Sequence, residues 1–109
     1  PTRFAGLNVL NTEKYVSNLP EDAVVEVPVK VDGNGIHPVK VGSLPEGIAA
    51  MCRQQISIQN LLVEAYAERS KRALLSALLL EPTVDSPNRA EQMMEELLAR
   101  QIAYLPELR

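Results

Sequence analysis

From Ala23 to Asp32 apolar side chains recur at every second position. Val25, Val27, Val29 and Val31 fall on one face, and Val24, Glu26, Pro28 and Lys30 on the other. A period of two predicts a half-buried strand. Pro28 has no N–H to give to a ladder, so the pattern further predicts an edge strand, or a bulge at that residue. Asp32-Gly33-Asn34-Gly35 follows, residues that tolerate positive φ, and His37-Pro38-Val39-Lys40-Val41 alternates again. Residues 19–42 therefore read as a β-hairpin. Upstream, residues 1–18 hold a short apolar segment, Phe4 to Leu10, broken by Gly6 and Asn8. A turn-like Asn11-Thr12 and a second short piece at Tyr15-Val16 follow, which reads as the end of a strand and a loop.

Beyond the hairpin the period changes. Ser43-Leu44-Pro45-Glu46 has the form of a capping box, with the Ser hydroxyl taking the third helical N–H and Glu46 reaching back to the Ser amide. A helix is predicted from Ser43 to Glu68, with Ile48, Met51, Cys52, Ile58, Leu62, Ala65 and Tyr66 at helical spacing. Ile56, Leu61 and Val63 widen that face until two surfaces are needed to cover it. Ala73, Leu74, Ala77, Leu78, Leu79 and Leu80 make a second helix that stops before Pro82, so residues 43–80 hold two helices. Ser86-Pro87 opens a third over 86–105, with Ala90, Met93, Met94, Leu97, Leu98 and Ile102 inside. Strands first and helices afterwards define an α+β class: a β-hairpin or small antiparallel sheet followed by packed helices.

Length and composition fit one domain over residues 1–109, with 46% hydrophobic residues for a modest core. A chain of this size buries a smaller share of its surface than a large one, so its Leu-rich helices are expected to seek a partner surface, a second copy included. The net charge of -3 is spread without a basic run, and there are only four aromatic residues. Both features argue against nucleic acid as a partner. Arg69, Lys71 and Arg72 form the densest basic cluster and read as a solvated face. The single cysteine, Cys52, has no partner for a disulfide, which fits a reducing compartment. No basic-then-apolar leader and no bilayer-length apolar run are visible, and the expectation is a soluble, cytoplasmic protein without a membrane partner. A first residue Pro1 so close to a strand predicts a chain cut inside a fold.

No catalytic, cofactor-binding or metal-ligating constellation can be assembled from these residues. His37 is the only histidine, between Ile36 and Pro38, and reads as a turn or edge residue. Cys52 sits in an apolar helical pattern and reads as a small buried hydrophobe. Glu21, Asp22 and Glu26 could tempt a reader toward the carboxylate pair of a glycosidase. Adjacent strand positions face opposite ways, however, and Pro20-Glu21-Asp22 is more simply a turn. Gly33-Asn34-Gly35 lacks the Lys-Ser/Thr ending and following helix of a phosphate loop.

A linked set of phrases carries more information than any single residue. Leu19-Pro20-x-Asp22-x-Val24-Val25-Glu26-Val27-Pro28 is followed by Gly35-Ile36-His37-Pro38 and Val41-Gly42-x-Leu44-Pro45. The series continues through Val63-Glu64-Ala65 and Ala77-Leu78-Leu79-Leu80-x-Pro82. Together they resemble the C-terminal region of glycoside hydrolase family 4, over most of the chain from Asn18 onward.

The resemblance implies the distal part of a substrate domain akin to the C-terminal domain of lactate and malate dehydrogenases. The parent it implies is an NAD-dependent glycosidase that also needs a divalent metal, usually manganese. Such an enzyme works by oxidation at sugar C3, proton loss at C2, elimination, water addition and re-reduction, outside the two-carboxylate scheme. It also implies that the nucleotide loop, metal ligands and catalytic Tyr lie upstream. Neither Cys52 nor His37 is then promoted to a ligand, and the chain alone is expected to hold no cofactor and to be inactive. The implied partners are a carbohydrate substrate, through the parent enzyme, and further copies in a homo-oligomer. Gln54-Gln55-Ile56-Ser57-Ile58-Gln59 resembles the α-galactosidase members more than the 6-phosphoglycosidases. The chain departs from the family where Glu68-Arg69-Ser70-Lys71 replaces a usual Gly-Asp turn and where Thr83 stands for Leu. Two other classes compete: a non-catalytic oligomerisation module, and the equivalent region of a 2-hydroxy acid dehydrogenase, which lacks support because its His pattern is missing.

Overall fold

The computed structural model describes residues 1–109 and divides them into two units, Pro1–Arg53 and Gln54–Arg109. In the first unit, β1 (Thr2–Leu10), β2 (Val24–Asp32) and β3 (Gly35–Pro38) form an antiparallel sheet in the order β1-β2-β3. The helices are α1 (Glu46–Glu68), in which the boundary between units falls, and α2 (Lys71–Leu80) and α3 (Pro87–Arg100) of the second unit. The α+β order read from the sequence is the order observed.

The alternation in β2 is realised as predicted, with Val25, Val27 and Val29 buried and Val24 and Lys30 exposed. Across the β1 ladder the three valines pair with Val9, Leu7 and Phe4. β2 is nevertheless the central strand and not an edge, and two features accommodate Pro28 there. Phe4 pairs with Val29 and Leu7 with Val27, so Ala5 and Gly6 together stand opposite Pro28 as a bulge on the partner strand. On the other side the Pro28 carbonyl accepts from the Val39 N–H at 2.9 Å. A strand residue offers its N–H and C=O to the same neighbour, so the missing donor falls where β3 has just ended. The second hairpin strand is accordingly shorter and earlier than the predicted 37–41. Val41 N–H turns away to the Tyr15 carbonyl at 2.8 Å, and Ser17 N–H bonds the Gly42 carbonyl at 3.0 Å. Within the hairpin turn, positive φ is confined to Gly35, at 122°.

Asn11, read from the sequence as a turn residue, is fully buried at 0% exposure and organises the first unit. Its Nδ2 donates to the carbonyls of Val16 at 3.0 Å, Leu19 at 3.1 Å and Pro20 at 3.1 Å. Its Oδ1 accepts from the Val16 N–H at 3.0 Å, and its own N–H bonds the Ala23 carbonyl at 2.9 Å. One side chain thereby satisfies the backbone of a loop whose apolar residues Val16, Leu19 and Ala23 are buried.

The predicted capping box at Ser43 is not formed. Leu44 precedes Pro45, which disfavours helical backbone at residue 44. The Asn18 amide clamps it instead, accepting from Leu44 N–H at 2.9 Å and donating to Leu44 O at 2.9 Å. The Ser43 hydroxyl pairs with that of Ser17 at 2.6 Å, Glu46 pairs with Arg53, and the first helical bond runs from Ala49 N–H to Pro45 O. Helix α1 thus begins at Glu46.

At its other end Ser70 N–H reaches back to the Ala65 carbonyl at 2.9 Å, with Arg69 left-handed at φ 55°. That is a Schellman turn, whose left-handed position normally holds glycine. Arg69→Gly is therefore expected to raise stability by about 1 kcal/mol, as the steric cost of left-handed backbone exceeds glycine's entropy cost. Chemical denaturation of both forms checks it.

Ser70 also caps α2, accepting from Ala73 N–H at 3.1 Å, so that helix starts at Lys71. Ser86 caps α3 in the same way through Arg89 N–H at 3.2 Å, with Pro87 at the first helical position as predicted. The buried faces of these helices are lined by Ala73 and Ala77 on α2, and by Ala90 and the longer Met94 on α3. The third helix ends at Arg100, short of residue 105, and Ile102, expected inside, is 78% exposed.

Candidate functional site

The residues singled out for possible chemistry are placed in separate roles. Glu21 lies in the turn after Leu19-Pro20 and pairs with Lys14 at 3.5 Å, and Asp22 occupies the same turn. Glu26 stands on the exposed face of β2 against Gly6, where an added methyl group would collide with its carboxylate. Cys52 is half-buried on α1 and not fully buried as its pattern implied. Within this chain no group of three or more His, Cys, Asp or Glu could hold a metal ion.

His37 is the one candidate drawn into a defined polar pair. It lies on the edge strand β3, and its Nε2 sits 2.9 Å from Asp32 Oδ1 at the end of β2. The same oxygen accepts from Asn34 N–H at 2.8 Å, closing the hairpin turn. The His37 side-chain bond, followed by the Asn34 amide, holds the Asp32 carboxyl below its ordinary value of 3.8. Lowering works in favour of the fold while the carboxylate is charged: its contribution is present above 3.8 and is lost as pH falls through the depressed folded value. An NMR titration of Asp32 is expected to give a midpoint below 3.8, and His37→Ala is expected to move that midpoint upward. An exposed carboxylate and imidazole at a hairpin tip, with no nucleophile in reach, have the chemistry of a turn lock.

The second unit contains an open cavity of about 550 Å³ between Lys71, on α2, and Glu95, Leu98, Ile102, Leu105 and Leu108. Its charged residues are the Lys71–Glu95 ion pair, at 3.3 Å, and Glu107. The segment after α3 reaches it because Arg109 bonds the backbone on both sides of Ser70. Its N–H goes to Arg69 O at 2.7 Å, and its carbonyl accepts Lys71 N–H at 2.8 Å.

A small antiparallel sheet followed by helices defines an α+β class. Residues 2–84 match the family 4 glycosyl hydrolase C-terminal domain, and the chain belongs to that family. It is 38% identical over 110 residues to an α-galactosidase of Bacillus subtilis, covering 98% of this chain and 25% of that protein. It is 35% identical over 102 residues to a maltose-6'-phosphate glucosidase of the same organism, covering 94% of this chain and 23% of the relative. Among solved structures, a 6-phospho-α-glucosidase from gut microorganisms, in complex with NAD and glucose-6-phosphate, superposes with a TM-score of 0.90 at 33% identity. That match covers 99% of this chain and 24% of the other. The chain thus spans about a quarter of the length of these relatives.

Proposed function

We propose that residues 1–109 are the distal part of the substrate domain of a longer enzyme that hydrolyses O-glycosyl bonds of α-glycosides. Both units would belong to that one domain. The observation that carries the reading is the family match over residues 2–84. In this reading NAD and manganese are held by parts of the enzyme outside this chain. NAD serves as the transient hydride acceptor, and this chain supplies scaffold and subunit contacts in a cytoplasmic homo-oligomer.

Two substrate classes compete within the proposal. An α-galactoside is favoured by the 38% identity to the Bacillus subtilis α-galactosidase and by the Gln54 to Gln59 segment. A 6-phospho-α-glucoside is supported by the maltose-6'-phosphate glucosidase and by the 6-phospho-α-glucosidase neighbour. Part of the Gln54 to Gln59 segment has structural duties, since Gln54 Nε2 bonds the last carbonyl of α2, at Leu80, at 2.9 Å. That weakens it as a reader of the sugar.

The deciding experiment assays the full-length enzyme with NAD, manganese and a reductant on p-nitrophenyl α-galactoside and on p-nitrophenyl 6-phospho-α-glucoside. Hydrolysis of either one, lost on removing NAD or manganese, supports the proposal and names the class. Turnover of neither overturns it.

A further inference from the structure

Of the asparagines in the chain, Asn34 is the one followed by glycine. An asparagine carboxamide is an electrophile that the backbone nitrogen of the next residue can attack, and a side chain on that next residue obstructs the approach. Gly35 has no side chain, and a Cβ built there would meet nothing within 4 Å, so the space beside its backbone is open. Its φ of 122° also ties a glycine to this position.

The other asparagines differ in structure as well as in sequence. The carboxamide of Asn11 is held inside its loop, and that of Asn18 is held on Leu44. Asn8 lies in β1, Asn60 in α1 and Asn88 in α3, where regular hydrogen bonding fixes the backbone. Asn34 lies in the turn between β2 and β3. Its backbone N–H is held by Asp32 Oδ1 at 2.8 Å, while its carboxamide has no hydrogen-bond partner.

We propose that Asn34 is a site of spontaneous modification, converting to isoaspartate and aspartate through a succinimide closed by the Gly35 nitrogen, at a rate set by the Asp32–His37 lock. The Gly35 nitrogen bonds to Asn34 Cγ and gives up its proton. The Cγ–Nδ2 bond breaks, and the amide group leaves as ammonia with one proton gained. Water then opens the ring at either carbonyl, which yields isoaspartate or aspartate. Water is the sole co-reactant, and both reacting groups belong to one turn of one chain.

The lock opposes the first step. Asp32 and Gly35 are the last pair of the β2–β3 ladder, and the Gly35 amide also hydrogen-bonds the Asp32 carboxylate. A nitrogen whose hydrogen is held in this way cannot close the ring until that bond opens. His37 Nε2, 2.9 Å from Asp32 Oδ1, keeps the carboxylate in place over the turn. The same contacts protect Asp32, which also precedes a glycine, because an ionised carboxylate bonded by His37 and Asn34 is a poor target for the Gly33 nitrogen. Conversion of Asn34 sets a second negative charge near Asp32, and isoaspartate lengthens the main chain by one carbon, so the last ladder pair is expected to open.

The test incubates the folded full-length protein at mildly alkaline pH and follows residue 34 by peptide mapping with detection of isoaspartate. Conversion is expected at Asn34, with Asp32 and the other asparagines unchanged. His37→Ala is expected to raise the rate about threefold, the effect of losing one exposed hydrogen bond. His37→Gln keeps a donor for Asp32 and is expected to stay near the native rate, and Asn34→Gln is expected to give no product at this position. Circular dichroism melts establish that each variant is folded, and the exposed position of both residues favours that result. Asn34 that stays intact in the folded protein, over a time in which it converts in urea, overturns the site. Equal rates in the native and His37→Ala proteins, or isoaspartate at Asp32 ahead of Asn34, overturn the control by the lock. Glycoside turnover is not read, so the enzymatic proposal is judged separately.

Discussion

Asn11→Ala is expected to destabilise the first unit by about 3 kcal/mol, the largest effect of any polar substitution in the chain. Truncation removes three donated bonds and one accepted bond, and leaves the Leu19 carbonyl and the Val16 N–H without a partner where Asn11 is wholly buried, while the Val16 and Pro20 carbonyls keep the N–H groups of Leu19 and Ala23, each at 3.3 Å. Each unpaired buried group costs roughly 1–3 kcal/mol, offset in part by water entering the space. Asn11→Asp is the sharper control. It preserves size and the acceptor for Val16, but it exchanges three donated bonds for a carboxylate oxygen facing three carbonyls. It is expected to be at least as damaging as alanine near neutral pH and to recover as the carboxyl protonates. Urea denaturation of the three forms at two pH values checks both statements, and equal stability of the native protein and the Asn11→Ala variant would remove Asn11 from its organising role.

Ala90→Leu is expected to cost about 2–3 kcal/mol in the second unit. Ala90 is 0% exposed on α3, and Ala73 and Ala77 on α2 are also buried, at 4% and 1%. Helices packed through alanine approach closely, and a Leu at the buried position must either push them apart or adopt a strained rotamer. Met94, one turn along the same helix and 6% exposed, can yield a little because its thioether chain is flexible. Ala90→Gly is the informative companion. It adds no volume but removes helix propensity and a methyl contact, for a loss of about 1 kcal/mol. A melt followed by helical circular dichroism is expected to rank the native protein first, then the Gly variant, then the Leu variant. If the Leu variant equals the native protein, the alanine packing is loose.

The elements legible in the sequence were those with a local cause. Alternating valines marked β2 and its buried face, Asp32 to Gly35 marked a turn, Ser86-Pro87 marked a helix start, and Pro82 followed the end of another. The elements misread were those decided by distant partners. Ser43 and Glu46 have the right spacing for a capping box. Their side chains are taken by Ser17 and Arg53, however, while Asn18 clamps Leu44 in a conformation that Pro45 already favours. Pro28 signalled an edge or a bulge, and only the pairing register decides between them, placing the bulge on the partner strand at Ala5-Gly6.

The candidate site follows the same division. Sequence by itself determined the α+β order, the hairpin and the helix periods, since these depend on backbone geometry and on the alternation of apolar side chains along a few residues. It also carried the family resemblance in phrases such as Leu19-Pro20 and Val41-Gly42. Tertiary structure alone decided that Asn11 is a buried hub and that His37 locks Asp32. Those facts depend on which surfaces meet, and burial or a hydrogen bond between residues distant along the chain has no local signature.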